Sequence, residues 1–137
     1  MGWFDSLLAR HGGVFFTEEA YARGDTQSML FWSVAYGTIL RPRRGVYCDP
    51  RLSSSAIQAL HVGGRLACVS ALAHHGLEPE PHELHVAVSA NASRLREPNG
   101  PVIHWSRRRL AGDRVAVSVE EARRQAARCR ALLRDTL

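Results

Sequence analysis

The chain has 137 residues, 45% hydrophobic and 23% charged, the balance of a globular protein with a core to bury in one domain or two small ones. No stretch approaches 18 continuous apolar residues, which argues against a membrane-spanning helix. The formal charge of +5 is carried by arginine alone, without lysine, and points either to a polyanionic partner or simply to solubility. The opening MGWFDSLLARHGG has no basic region ahead of its apolar residues, so no signal peptide and a cytoplasmic location are expected. Three cysteines (Cys48, Cys68, Cys129) are an odd number without framework spacing, which suits buried thiols in a reducing compartment.

The charge is unevenly placed. Residues 1–37 hold two arginines against four acids, residues 38–51 four against one, and residues 106–137 nine against four. Basic charge therefore gathers on a short central stretch and on the C-terminal third, the pattern of a polyanion footprint.

In chain order, Phe4, Leu7 and Leu8 repeat at helical spacing up to Gly12-Gly13. Residues 14–16 form a short apolar connector. Thr17 is expected to cap a second helix, with Glu18 and Glu19 in its first turn and Gly24 at its end. Asp25 and Thr26 cap a third, which runs to Tyr36 and stops at Gly37. Residues 38–41 and 46–48 read as two strands joined across Pro42, Arg43, Arg44 and Gly45. A helix of about ten residues followed directly by a basic hairpin reads as the recognition helix and wing of a winged helix-turn-helix over residues 1–50.

The remainder, 51–137, is expected to form a small mixed sheet with short helices and a C-terminal helix packed on it, giving an α+β chain overall. Ser53–Ser55 opens a helix that breaks at Gly63-Gly64. Residues 66–69 read as a buried strand, and Ser70 as the cap of a helix over 71–75. Residues 82–89 alternate as in a half-buried strand, with Leu84, Val86 and Val88 on one side and His85 and Ala87 on the other. A turn is expected at Pro98-Asn99-Gly100, a strand over 102–105 and a short β-prone run over 115–117. Ser118 and Glu121 have capping-box spacing. The last helix then sets Val119, Ala122, Ala126, Cys129 and Leu133 on one narrow face and its arginines on the others.

Four segments together resemble the AbiEi-type antitoxin and transcriptional-regulator family. They are LLARHGGVFFTEEAYARG, RRGVYCDP, GRLACVSALAHHGL, and the series ELHVAVS, VIHWSRRRL and SVEEARRQAARC. The likeness is closer still to actinobacterial proteins that place the same winged helix ahead of a very-short-patch-repair-like nuclease domain. It implies operator binding through the winged helix and a repressor-like role. It does not imply a nuclease, because the sequence has no acidic cluster with a basic partner of the kind such metal-dependent enzymes need.

Leu30 and Val34 are expected as the buried seam of the third helix, leaving Gln27, Phe31, Trp32 and Ser33 toward the groove. Gln27, Ser28, Phe31 and Trp32 are accordingly placed near bases, and Arg41, Arg43 and Arg44 on phosphates. Of the run Arg107, Arg108 and Arg109, a strand would let at most two meet one surface; Arg107 and Arg108 are taken as the candidate backbone contacts. Duplex DNA is the expected partner, with a homodimer compatible because such proteins commonly read paired half-sites. Relatives usually carry several arginines on the third helix, whereas QSMLFWSVAY has none. An alternative is therefore a phage or mobile-element protein that docks another protein through Phe31, Trp32 and Tyr36.

No metal and no cofactor are expected. His82 and His85 would face opposite ways on a strand, His75 suits a helix C-terminus, and the cysteines sit in apolar segments as core packing. Catalysis finds no support either. Ser70 is in VSALA rather than a nucleophile elbow, Gly63-Gly64-Arg65 is too short for a phosphate loop, and Glu120 and Glu121 diverge on their helix.

Overall fold

The computed structural model describes residues 2–92, 95 and 100–136, so Pro98 and Asn99 of the turn expected at Pro98-Asn99-Gly100 fall outside them. The described residues form a mixed α+β fold with six helices and two three-stranded sheets.

The first sheet belongs to the sequence α1 (Asp5–Arg10), β1 (Val14–Phe16), α2 (Thr17–Ala22), α3 (Gln27–Ala35), β2 (Leu40–Arg43), β3 (Val46–Cys48). Its strand order is β1-β3-β2, antiparallel throughout. The apolar connector expected at 14–16 is in fact β1, pairing Val14 with Cys48 and Phe16 with Val46. Three residues are too few to show an alternating pattern, and the partner strand is far away in sequence. Phe4, Phe15 and Tyr47 stack at 5.1 and 5.3 Å between rings, and Leu7, Leu8, Ala20, Leu30 and Ile39 complete this core.

Thr17 is the first residue of α2 rather than its cap; the Phe16 N–H donates to Glu19 Oε1 at 2.8 Å. Thr26 does cap α3, its Oγ1 accepting from the Met29 N–H. The first hairpin strand begins two residues later than expected. The N–H groups of Thr38 and Ile39 are still satisfying the Ser33 carbonyl at the end of α3. Pro42 therefore lies within β2, an edge strand, where a missing N–H is tolerated.

The second sheet is built from β4 (Arg65–Leu66), β5 (His85–Ser89) and β6 (Val102–Ser106) in the order β4-β5-β6. The β4–β5 pair is antiparallel and the β5–β6 pair parallel. Val115 and Val117 extend it beside β4, where Leu66 N–H donates to the Val115 carbonyl and Val117 N–H to the Leu66 carbonyl. Because β5 is central, Val86, Ala87 and Val88 are all buried, so it is covered on both faces rather than one.

The helices of this half are α4 (Ser54–Val62), α5 (Cys68–His74) and α6 (Val119–Thr136). Of the serines expected to open α4, Ser53 is its cap, its Oγ accepting from the Ala56 N–H. The strand expected over 66–69 is cut short because α5 already starts at Cys68. Ser70 consequently caps nothing: it is buried inside α5, and its hydroxyl accepts from the His85 N–H at 2.9 Å. Four residues of the expected face of α6 are observed inward, Ala122 and Ala126 buried and Val119 and Cys129 packed on the core; the Leu133 side chain lies outside the described ones.

Residue 50 is no packing boundary. Val14 and Cys48 belong to the core of the second half, β2 packs on α4, and Arg114 reaches back to Glu19 and to the Val14 carbonyl. No helix among the described residues is long and apolar enough to cross a membrane.

Candidate nucleic-acid interface

The outer side of α3 is set by its seam. Leu30 and Ser33 are buried and Val34 half-buried, so Gln27, Ser28, Phe31 and Trp32 face solvent. Ser33, expected toward the groove, is inside. Its backbone carbonyl accepts from Thr38 N–H, Ile39 N–H and Thr38 Oγ1, which draws that side of the helix into the fold. Phe31, Trp32 and Tyr36 are 62%, 48% and 78% exposed. Phe31 meets Trp32 edge to face at 5.2 Å, and Tyr36 leans on Trp32 at 5.9 Å. Trp3, which sequence reasoning did not single out, joins Trp32 and Tyr36 around a shallow depression of about 420 Å³.

The hairpin follows α3 directly. Arg41 and Arg44 are exposed. Arg43 is half-buried and lies over Gly63, where any side chain would collide with its guanidinium. The turn is held close to the body: Thr17 N–H donates to the Gly45 carbonyl at 3.1 Å, and His61 Nδ1 lies 2.7 Å from the Pro42 carbonyl oxygen. The hairpin thus presents arginines without projecting as a long ribbon.

Between the two sheets runs an open cleft of about 1060 Å³. Arg43 lines it on one side and Arg107, Arg108 and Arg109 on the other. Strand β6 ends at Ser106, so these three arginines do not alternate as on a strand, and all three reach the same cleft. Arg108 is partly engaged, pairing with buried Glu121 at 3.1 Å, to which Arg124 also donates at 3.0 Å. The capping box is therefore only half formed. Ser118 Oγ accepts from Glu121 N–H, but the Glu121 carboxylate serves the arginines, and its Oε2 has no partner among the described residues.

Two further cleft arginines are structural. Arg65 donates to the Asp113 and Leu110 carbonyls, and burial lowers its pKa. Arg114 pairs with both oxygens of Glu19 and sits over the Phe16 ring. That guanidinium is the main reason the Glu19 pKa is held down at about 2. Arg43, Arg107 and Arg109 make no salt bridge among the described residues. The basic cleft and the aromatic face of α3 are separate surfaces.

A second group of chemically capable side chains lies in the other half. His85 and His104 are 19 residues apart, yet the parallel register sets His104 opposite Ala87, on the side of the sheet that His85 shares. His85 Nδ1 is 3.0 Å from His104 Nε2, which is 3.8 Å from Cys129 Sγ, itself 3.6 Å from Cys68 Sγ. Burial, reinforced by His85 and Arg128, pushes the His104 pKa down to about 4; burial also lowers that of His85. Burial and the neighbouring Cys129 thiol push Cys68 up to about 12. Sequence reasoning sets His85 only against His82, which is exposed outside the strand, and does not consider His104 as its partner. The only signal pointing to His104 was its apolar-flanked position in VIHW, which cannot reveal a parallel register. His75 does not serve its own helix end; its Nε2 lies 2.9 Å from the Val117 carbonyl oxygen.

No family model matches the chain, and no curated protein matches it either.

Proposed function

We propose that the chain is a DNA-binding regulator whose first 50 residues act as a winged helix on duplex DNA, in the manner of an antitoxin-like repressor in the cytoplasm. One observation carries this reading. Helix α3 turns Gln27, Ser28, Phe31 and Trp32 to solvent and runs without a linker into a hairpin whose Arg41 and Arg44 are exposed. The order of three helices and a small antiparallel sheet, β1-β3-β2, is compatible with such a module. A helix of this width enters a major groove, where Gln27 can address an adenine edge and an aromatic ring a thymine methyl. The exposed arginines would hold phosphates, and the Arg43/Arg107/Arg109 cleft offers a second place for the backbone. The resemblance to AbiEi-type regulators points the same way. On this reading the chain is a binding protein rather than an enzyme.

The cluster of Trp3, Phe31, Trp32 and Tyr36 favours a second reading, a protein partner seated on α3, because exposed aromatic patches mark interfaces. A gel-shift comparison of the DNA upstream of its own gene with scrambled DNA, over a series of salt concentrations, separates the two. Preferential, salt-sensitive binding to the upstream DNA supports the regulator; equal weak binding to both supports the protein partner.

A further inference from the structure

We propose that Cys68, His85, His104 and Cys129 form a tetrahedral site for a zinc-class divalent cation that clamps α5, β5, β6 and α6 together. The site lies outside the surfaces assigned to DNA, so it stands whether or not that reading does.

The first ground is geometric. Zinc bonds of about 2.3 Å to sulfur and about 2.0 Å to nitrogen give tetrahedron edges of about 3.8 Å between sulfurs, about 3.3 Å between nitrogens and about 3.6 Å for mixed pairs. The observed separations are 3.6 Å for the two sulfurs, 3.0 Å for the two nitrogens and 3.8 Å for Cys129 with His104. The other three pairs lie within 4.8 Å, so binding needs those side chains to close in by up to about 1 Å. Two thiols and two imidazoles from four separate elements thus converge on one point.

The second ground is the backbone. Cys68 has φ 52°, the single positive value on a non-glycine among the described residues. A side chain in that region is disfavoured and persists where the surroundings hold it. Here the holder is buried Gln125, whose Oε1 accepts from the Cys68 N–H at 2.8 Å. The result is to bring Cys68 Sγ beside Cys129 Sγ.

The third ground is charge. Two thiols each lose a proton on binding and two imidazoles stay neutral, so a divalent ion leaves the site neutral overall, as its burial requires. Two sulfurs and two nitrogens form a closed ligand set with no position kept for substrate, which marks the ion as structural rather than catalytic.

The test uses the reduced 137-residue chain, stripped with a chelator and titrated with cobalt(II), then zinc(II). One equivalent of cobalt should give the visible d–d absorption of a tetrahedral ion and thiolate charge-transfer bands, and zinc should abolish both. Cys129→Ser and His104→Gln should each weaken zinc binding by more than the roughly 100-fold that losing an outer-sphere partner already costs. A readout on the unmutated protein guards against misfolding of these variants: zinc should slow alkylation of half-buried Cys129. The proposal is overturned if the reduced protein gives no tetrahedral cobalt spectrum, or if zinc leaves Cys129 alkylation unchanged. It is equally overturned if a Cys68–Cys129 disulfide forms as readily with zinc present as without.

Discussion

The two sheets enclose interiors of opposite kinds. Around β1-β3-β2 the buried side chains are apolar and aromatic except for Ser33, and the chemically expressive residues, Gln27, Trp32, Arg41 and Arg44, face water. Around β4-β5-β6 the polar groups are inside: Ser70, Glu121 and Gln125 are buried, and His85, His104 and Cys129 half-buried. Three of these inner groups take a partner from a distant element, Ser70 from β5, Gln125 from the start of α5 and His85 from β6. Most buried polar groups take a partner, so the second interior is specified largely by pairings and the first by shape. The first half is built to present a surface outward, and the second to hold groups together inward.

The largest expected effect tests whether the two interiors are one cooperative unit. Phe15→Ala opens a fully buried aromatic stack and should cost about 3–5 kcal/mol by denaturant titration. Because Val14 and Cys48 pack into the second core, both halves should unfold together. A surviving transition from the second half would break the link.

A smaller effect comes from the ion pair that ties the halves. Arg114→Ala should cost about 1–2 kcal/mol near neutral pH, since both partners are roughly three-quarters buried. The Glu19 pKa is lowered from 4.5 to about 2, so its contribution is complete above about 4.5 and is lost as pH falls towards 2. The stability gap between wild type and Arg114→Ala should therefore narrow over that window to what the Val14 carbonyl bond and the Phe16 stacking contribute; a gap as wide at pH 2 as at neutral pH would contradict the assignment.

On the outward surface, Arg43→Ala with Arg44→Ala should weaken DNA binding on every sequence and flatten its salt slope by roughly one to two. An unchanged slope would remove the hairpin from the interface. Phe31→Ala should do least to the fold, within about 0.5 kcal/mol, because the ring is exposed. It should nonetheless reduce binding, and a large loss of stability would show that the ring packs rather than presents.

The same contrast explains what the sequence revealed. Helix α3 was legible because Thr26, Leu30 and Gly37 act within one helix length, and α6 because its small apolar residues repeat at helical spacing. Strand β1 was not, because three residues take their meaning from β3. The start of α5 was misplaced because a bond from Gln125, 57 residues away, fixes Cys68. The outward-facing residues Gln27, Ser28, Phe31 and Trp32 followed from helical periodicity; the association of His85 with His104 required a strand register that no local pattern encodes.

The most direct test of DNA recognition by α3 is the fluorescence of Trp32 in a chain carrying Trp3→Phe and Trp105→Phe, titrated with a duplex from the region upstream of its own gene. If the helix enters a groove, Trp32 emission should shift and its quenching by acrylamide should fall, and added salt should reverse both. Emission and quenching that stay constant with the duplex bound would place α3 away from DNA and contradict the account.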